Sequence, residues 1–140
     1  MRARKEHVLT GAAVLVGAMW LFSASMKIAK PLGAVELTAH VVPGGMSSKA
    51  AVALVVGAET VLGSAMCLRA IRGFVPSLVA LLALSGALVV VWTRGEAELV
   101  KCGCFGDLFG TTALEALIRN GVLVALHVAL ILWGRAKAAT

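Results

Sequence analysis

Four apolar runs dominate this chain, each near the roughly 20 residues that a helix needs to cross a bilayer. They cover residues 8–26, 50–68, 74–93 and, less cleanly, 113–133. Inside a bilayer no water is present to satisfy backbone N–H and C=O groups, so runs of this kind are expected to be helices. The expected fold is therefore all-α: a polytopic membrane protein with a bundle of four transmembrane helices, in a single domain over residues 1–140. Composition points the same way. Hydrophobic residues make up 60% and charged residues 14%, against roughly half and a quarter in soluble domains. The formal net charge of +6 would suggest nucleic acid on a soluble protein. Here the basic residues flank apolar runs, there is no Tyr, and nothing resembles a base-stacking platform. The sequence therefore points to membrane lipid as a partner and away from nucleic acid.

The fourth run needs help to span. Its uninterrupted apolar part, 121–133, would extend only about 20 Å at 1.5 Å per residue. Thr112-Ala113-Leu114-Glu115 fits a capping box, with Thr112 as N-cap and Glu115 reaching back. A helix starting near residue 113 is long enough. The first run also has features of a secretory signal: a basic start, an apolar middle and the small residues Ser23-Ala24-Ser25. Its full spanning length favours a retained anchor.

Trp20, Trp92 and Trp133 fall near predicted span ends, as do Phe22 and Phe74, and indole rings favour the headgroup level. Small residues suggest packing seams: Ala53, Gly57, Thr60, Ser64 and Cys67 on the second span, and Gly11, Ala18 and Ser25 on the first. Orientation follows from Lys and Arg. With the N-terminus inside, the inner segments hold Arg2, Arg4, Lys5, Arg69, Arg72, Arg135 and Lys137. The outer segments hold Lys27, Lys30, Lys49, Arg94, Lys101 and Arg119, and they are longer, so basic density is higher inside. Both termini are expected to be cytoplasmic.

The chemically distinctive segment is Lys101-Cys102-Gly103-Cys104-Phe105-Gly106-Asp107, in the second outer loop. Gly103 lets the backbone turn tightly between two thiols. A disulfide across so few atoms would be strained and therefore oxidising. Lys101 favours the nucleophilic thiolate at its neighbour. A redox-active dithiol is the leading reading. A static structural disulfide, and a copper or zinc site completed by His40 and Met46, stand beside it. Cys67, at the inner end of the second span, reads as a small apolar residue. Glu59 lies within the second span, where an acid is costly and faces the bundle interior. It is expected to be protonated or paired with Lys27, and to serve as proton relay, quinone contact or structural anchor. His127, mid-span in the fourth helix, reads as a hydrogen-bonded core residue ahead of a haem or metal ligand. No phosphate loop, hydrolase triad or helical metal pair is present.

Cys102-Gly103-Cys104-Phe105-Gly106 resembles the Cys-x-Cys-Phe-Gly motif of the MauE family, named for methylamine utilisation. The first half is similar to the wider DoxX-like group. There the first helix typically ends in a Lys closely followed by Pro, as in Ser25-Met26-Lys27-Ile28-Ala29-Lys30-Pro31. The next loop often ends near a Pro, as at Val42-Pro43, and the second helix carries a Glu followed by a Gly, as in Glu59-Thr60-Val61-Leu62-Gly63. The resemblance covers nearly the whole chain. It implies a four-helix redox-associated protein of the bacterial inner membrane, with Cys102 and Cys104 as the redox pair and Lys101, Gly103, Phe105, Gly106, Glu59 and Lys27 in support. It also implies a thioredoxin-like periplasmic partner and a link to maturation of disulfide-containing proteins such as methylamine dehydrogenase. On the redox reading the chain would act as a thiol–disulfide oxidoreductase: in the oxidising direction, slightly favoured because a strained pair is the better oxidant, the bundle would pass electrons to a quinone, and in the reducing direction it would supply them outward. A metal-handling protein and a non-catalytic assembly factor with a structural disulfide are the alternatives.

Overall fold

The computed structural model describes residues 2–42, 47–68, 74–95 and 112–135. Among them the chain forms five helices: α1 (Arg2–Ala29), α2 (Leu32–Val41), α3 (Ser48–Cys67), α4 (Val75–Thr93) and α5 (Ala113–Arg135). Four of the five, all but α2, are long and apolar enough to cross a membrane. Leu15, Leu54, Val61, Ile118 and Val122 are all more than 60% exposed. In water so much apolar surface would drive association. On a spanning helix it is the lipid-facing side. The chain is a multi-pass membrane protein built as an all-α bundle.

Local chemistry sets the helix limits. Pro31 ends α1, because it lacks an N–H and disfavours helical geometry at Lys30. Ser47 caps α3 by accepting a hydrogen bond from Ala50 N at 3.2 Å. Pro76 sits in the first turn of α4, where its missing N–H goes unnoticed. Gly95 follows α4 with φ +75 and donates to Trp92 O at 3.1 Å, a left-handed stop that favours glycine. The capping box at α5 is formed as expected. Thr112 N donates to Glu115 Oε2 at 3.0 Å, and Glu115 N donates to Thr112 Oγ1 at 3.4 Å.

The bundle is two tight pairs. α1 packs along α3, and α4 packs along α5. Where α1 and α3 cross, Gly17 and Gly63 bring the backbones together. The short helix α2 was not expected from the sequence. It bridges α3 and α4, and its Leu37 packs with Leu88, Val91 and Ala116. Arg94, at the end of α4, donates to the carbonyl of His40 on α2. α4 therefore ends, and α5 begins, at the end of the bundle that carries α2.

Three expectations need correcting. The small-residue seams lie only partly inward: on α3, Ser64 and Cys67 are half-buried and Cys67 packs at the helix crossing, but the remaining seam residues face outward. Ala53, Gly57 and Thr60 on α3, and Gly11, Ala18 and Ser25 on α1, are exposed. The inward faces are Val16, Gly17, Trp20, Ser23, Ala24 and Lys27 on α1, against Glu59, Gly63 and Met66 on α3. The hydroxyls of Ser25 and Thr60 donate to carbonyls four residues back in their own helices, at 2.8 and 2.7 Å. They are satisfied there without a partner helix. Second, Trp20 is not at an interface. α1 continues to Ala29, and Trp20 is a core residue at 2% exposure. Third, Phe74 is also buried, whereas Phe22, Trp92 and Trp133 are exposed.

Candidate functional site

Charged side chains in the middle of a bundle are expensive and tend to mark function. Lys27 and Glu59 are both buried, at 4% and 3% exposure. Glu59 lies eleven residues into α3, about 16 Å along the helix axis, and so near mid-bilayer. Lys27 reaches it from α1, with Nζ 2.7 Å from Oε1 and 3.0 Å from Oε2. Ser23, one turn before Lys27, completes the group. Its Oγ accepts from Lys27 Nζ at 2.7 Å and donates to Glu59 Oε1 at 3.3 Å. Three polar side chains thus satisfy one another in a dry setting, as buried charge requires. Pairing is the outcome for Glu59.

A second polar chain links the two helix pairs. Trp20 Nε1 donates to Ser77 Oγ at 2.8 Å. Ser77 Oγ lies 2.8 Å from His127 Nε2, and His127 Nδ1 lies 2.7 Å from Leu123 O. A carbonyl only accepts, so Nδ1 carries the proton. Nε2 then accepts from Ser77, whose oxygen accepts from Trp20. One tautomer satisfies every atom. Phe74 packs edge-on against the imidazole, with ring centroids 5.8 Å apart and an interplanar angle of 87°. His127 is fully buried and both its nitrogens are engaged, so it is the hydrogen-bonded core residue expected.

Between these two groups lies a small recess of about 20 Å³. Trp20, Leu81 and Leu84 form its walls, and Ser23, Arg119 and Asn120 bring polar atoms to it. Asn120 Nδ2 donates to Ser85 Oγ at 3.3 Å. Ser23 therefore belongs both to the ion-paired group and to the recess.

A family model described as methylamine utilisation protein MauE matches residues 5–134. The chain belongs to the MauE family. No curated protein and no solved structure matches it.

Of the site residues expected for this MauE-family chain, Lys27 and Glu59 are brought together. Lys101, Cys102, Gly103, Cys104, Phe105 and Gly106 lie outside the described residues, as does Met46. His40 Nδ1 lies 2.8 Å from Glu36 O, within α2. Among the described residues, no three His, Cys, Asp or Glu side chains converge as a metal site. Cys67 is a free thiol at the end of α3. Its Sγ lies 3.8 Å from Val14 O and helps fill the helix crossing, at the opposite end of the bundle from α2.

Ser23, Ser77, Arg119 and Asn120 are not among the site residues expected from the sequence, where Ser23 stands only in a signal-like stretch and Arg119 only as an outer basic residue. A signal existed for the first two. Ser23 precedes Lys27 by one helical turn, and Ser77 stands alone in an apolar run that a lone His in another run can reach.

Proposed function

We propose that this MauE-family protein is a thiol–disulfide redox protein of the bacterial inner membrane. Cys102 and Cys104 exchange electrons with a thioredoxin-like periplasmic protein, and the bundle passes them to quinone. The cell uses this to mature disulfide-containing proteins such as methylamine dehydrogenase. The observation that carries the reading is Cys102-Gly103-Cys104-Phe105-Gly106 in a chain that belongs to this family along nearly its whole length. Two thiols separated by one glycine are suited to reversible exchange through a mixed disulfide. Lys101 holds the adjacent thiol toward thiolate. The distribution of Lys and Arg supports a periplasmic location for the pair and cytoplasmic termini.

Redox trapping in native membranes tests this. A membrane-impermeant maleimide is applied before and after mild reduction, and labelled cysteines are mapped by mass spectrometry. Labelling of Cys102 and Cys104 only after reduction is expected. Labelling without reduction, accompanied by bound copper or zinc, would replace the redox reading with a metal-handling one. Absence of labelling after reduction would overturn the topology.

A further inference from the structure

We propose that the recess between the two helix pairs is a binding site for a single water molecule, held by Asn120 and Ser23, which closes one hydrogen-bonded chain across all four spanning helices. The inference stands apart from the redox reading of Cys102 and Cys104 and does not need it.

Asn120 carries the argument. It is buried, at 5% exposure, within the spanning part of α5. Its Nδ2 donates to Ser85 Oγ at 3.3 Å. The amide cannot be turned the other way. The Ser85 hydroxyl gives its proton to Leu81 O at 2.7 Å, so its oxygen is left to accept, and the Asn120 atom facing it is the nitrogen. Asn120 Oδ1 and the second N–H then have no partner among the described residues. A buried amide with an acceptor and a donor unmade is costly, and ordered water is the usual remedy.

The recess supplies the room. It holds about 20 Å³, and one water needs about 10–15 Å³. There is space for a water and for no ring or acyl chain. Asn120 and Ser23 both line it, with Trp20, Leu81 and Leu84 as apolar walls. Trp20 brings no competing donor, since its Nε1 is committed to Ser77. Arg119 also lines the recess, but it has partners of its own and is not needed as one. The water donates one proton to Asn120 Oδ1 and the other to Ser23 Oγ, in addition to the bonds that Ser23 makes with Lys27 and Glu59.

The consequence is a continuous network. On one side of the water stand Glu59 of α3 and Lys27 and Ser23 of α1. On the other stand Asn120 of α5 and Ser85 of α4, ending on the Leu81 carbonyl. Trp20, Ser77 and His127 already join the two helix pairs. The water joins them at a second level, about one turn further along α1, and ties the buried ion pair to the opposite half of the bundle.

The test exploits composition. Asn120 is the only Asn in the chain and Gln is absent, so nitrogen-15 asparagine gives a single carboxamide signal. The full-length protein is placed in liposomes of deuterated lipid, and magnetisation is transferred from water to that carboxamide by solid-state NMR. Early transfer is expected, and so is its loss in Leu84→Phe, whose larger ring fills the recess. Absence of transfer in the unmodified chain overturns the site. Equal transfer in Leu84→Phe also overturns it, because water then reaches Asn120 by another way. Thermal unfolding gives an independent check. Ser23 and Asn120 share no hydrogen bond, so a water between them should make Ser23→Ala and Asn120→Leu non-additive in melting temperature. Additive shifts would overturn the bridge.

Discussion

Gly17 and Gly63 press against each other where α1 crosses α3. A Cβ on Gly17 would lie 2.8 Å from the carbonyl oxygen of Gly63, and a Cβ on Gly63 would lie 2.8 Å from that of Gly17. The opposing atoms are backbone, so neither helix can yield by turning a side chain. The crossing also sets the depth at which Lys27 meets Glu59, about one turn from Gly63 along α3 and just under three turns from Gly17 along α1.

Gly63→Ala should therefore force the helices apart and destabilise the protein by about 1–3 kcal/mol, the usual cost of overpacking. Gly17→Ala should act similarly, with the Cys67 thiol as a further obstruction at 2.8 Å. Gly57→Ala is the control. It has nothing within 4 Å and should be neutral or slightly stabilising, as alanine is the better helix former. Thermal unfolding of the three variants in one detergent decides. Equal melting temperatures for Gly57→Ala and Gly63→Ala would contradict the tight crossing.

The ion pair predicts non-additivity. Lys27→Met leaves a carboxylate buried without its cation, and Glu59→Leu strands the ammonium. Each single change should cost about 3–5 kcal/mol. The double change leaves neither charge, and it should cost clearly less than the two singles summed, because apolar replacements of a buried pair are often tolerated. A double-mutant cycle read from thermal unfolding measures the coupling. Additive losses would mean that the two residues act separately.

How much of this was legible in the sequence depends on what the bilayer enforces. The four spans were readable because a helix must cover a fixed thickness of hydrocarbon. Glu59 and Lys27 were readable because charge cannot face lipid. The same fact fixes the inward faces, and small-residue spacing misjudged them: Ser25 and Thr60 satisfy their hydroxyls on their own helices, so small residues face lipid at no penalty. Trp20 misled because its position near the end of the apolar run looked interfacial. α1 continues two turns beyond it, and only the tertiary partner Ser77 shows why an indole is tolerated inside. α2 escaped because ten residues are too few for a span. Its sole hints were Pro31 at its start and the Leu37–Val41 spacing of one turn.

The Trp20–Ser77–His127 chain predicts a specific spectroscopic change. Ser77→Ala removes the acceptor of the indole N–H and the donor to Nε2 together. Leaving these buried groups unsatisfied should cost about 1–3 kcal/mol each. In a background lacking Trp92 and Trp133, Trp20 emission should shift as its N–H loses its partner. Nitrogen NMR of labelled histidine should show His127 as the Nδ1–H tautomer in the unmodified chain. An Nε2–H tautomer would contradict the order of donors given above.

Arg94 ties the end of α4 to the last turn of α2 through the His40 carbonyl. The final carbonyls of a helix have no partners within it, and a guanidinium is well suited to capture one. Arg94→Ala should release α2 from the mouth of the bundle while leaving the spanning helices folded. A hydrogen bond to a charged donor contributes about 1.5–3 kcal/mol. Amide exchange over Leu32–Val41 should therefore accelerate roughly tenfold or more, while α3 and α4 keep their protection. Arg94→Lys, with a single ammonium on a shorter reach, should fall between. If exchange over α2 were unchanged in Arg94→Ala, the packing of Leu37 on Leu88, Val91 and Ala116 would be sufficient to hold the helix, and the Arg94 contact would be incidental.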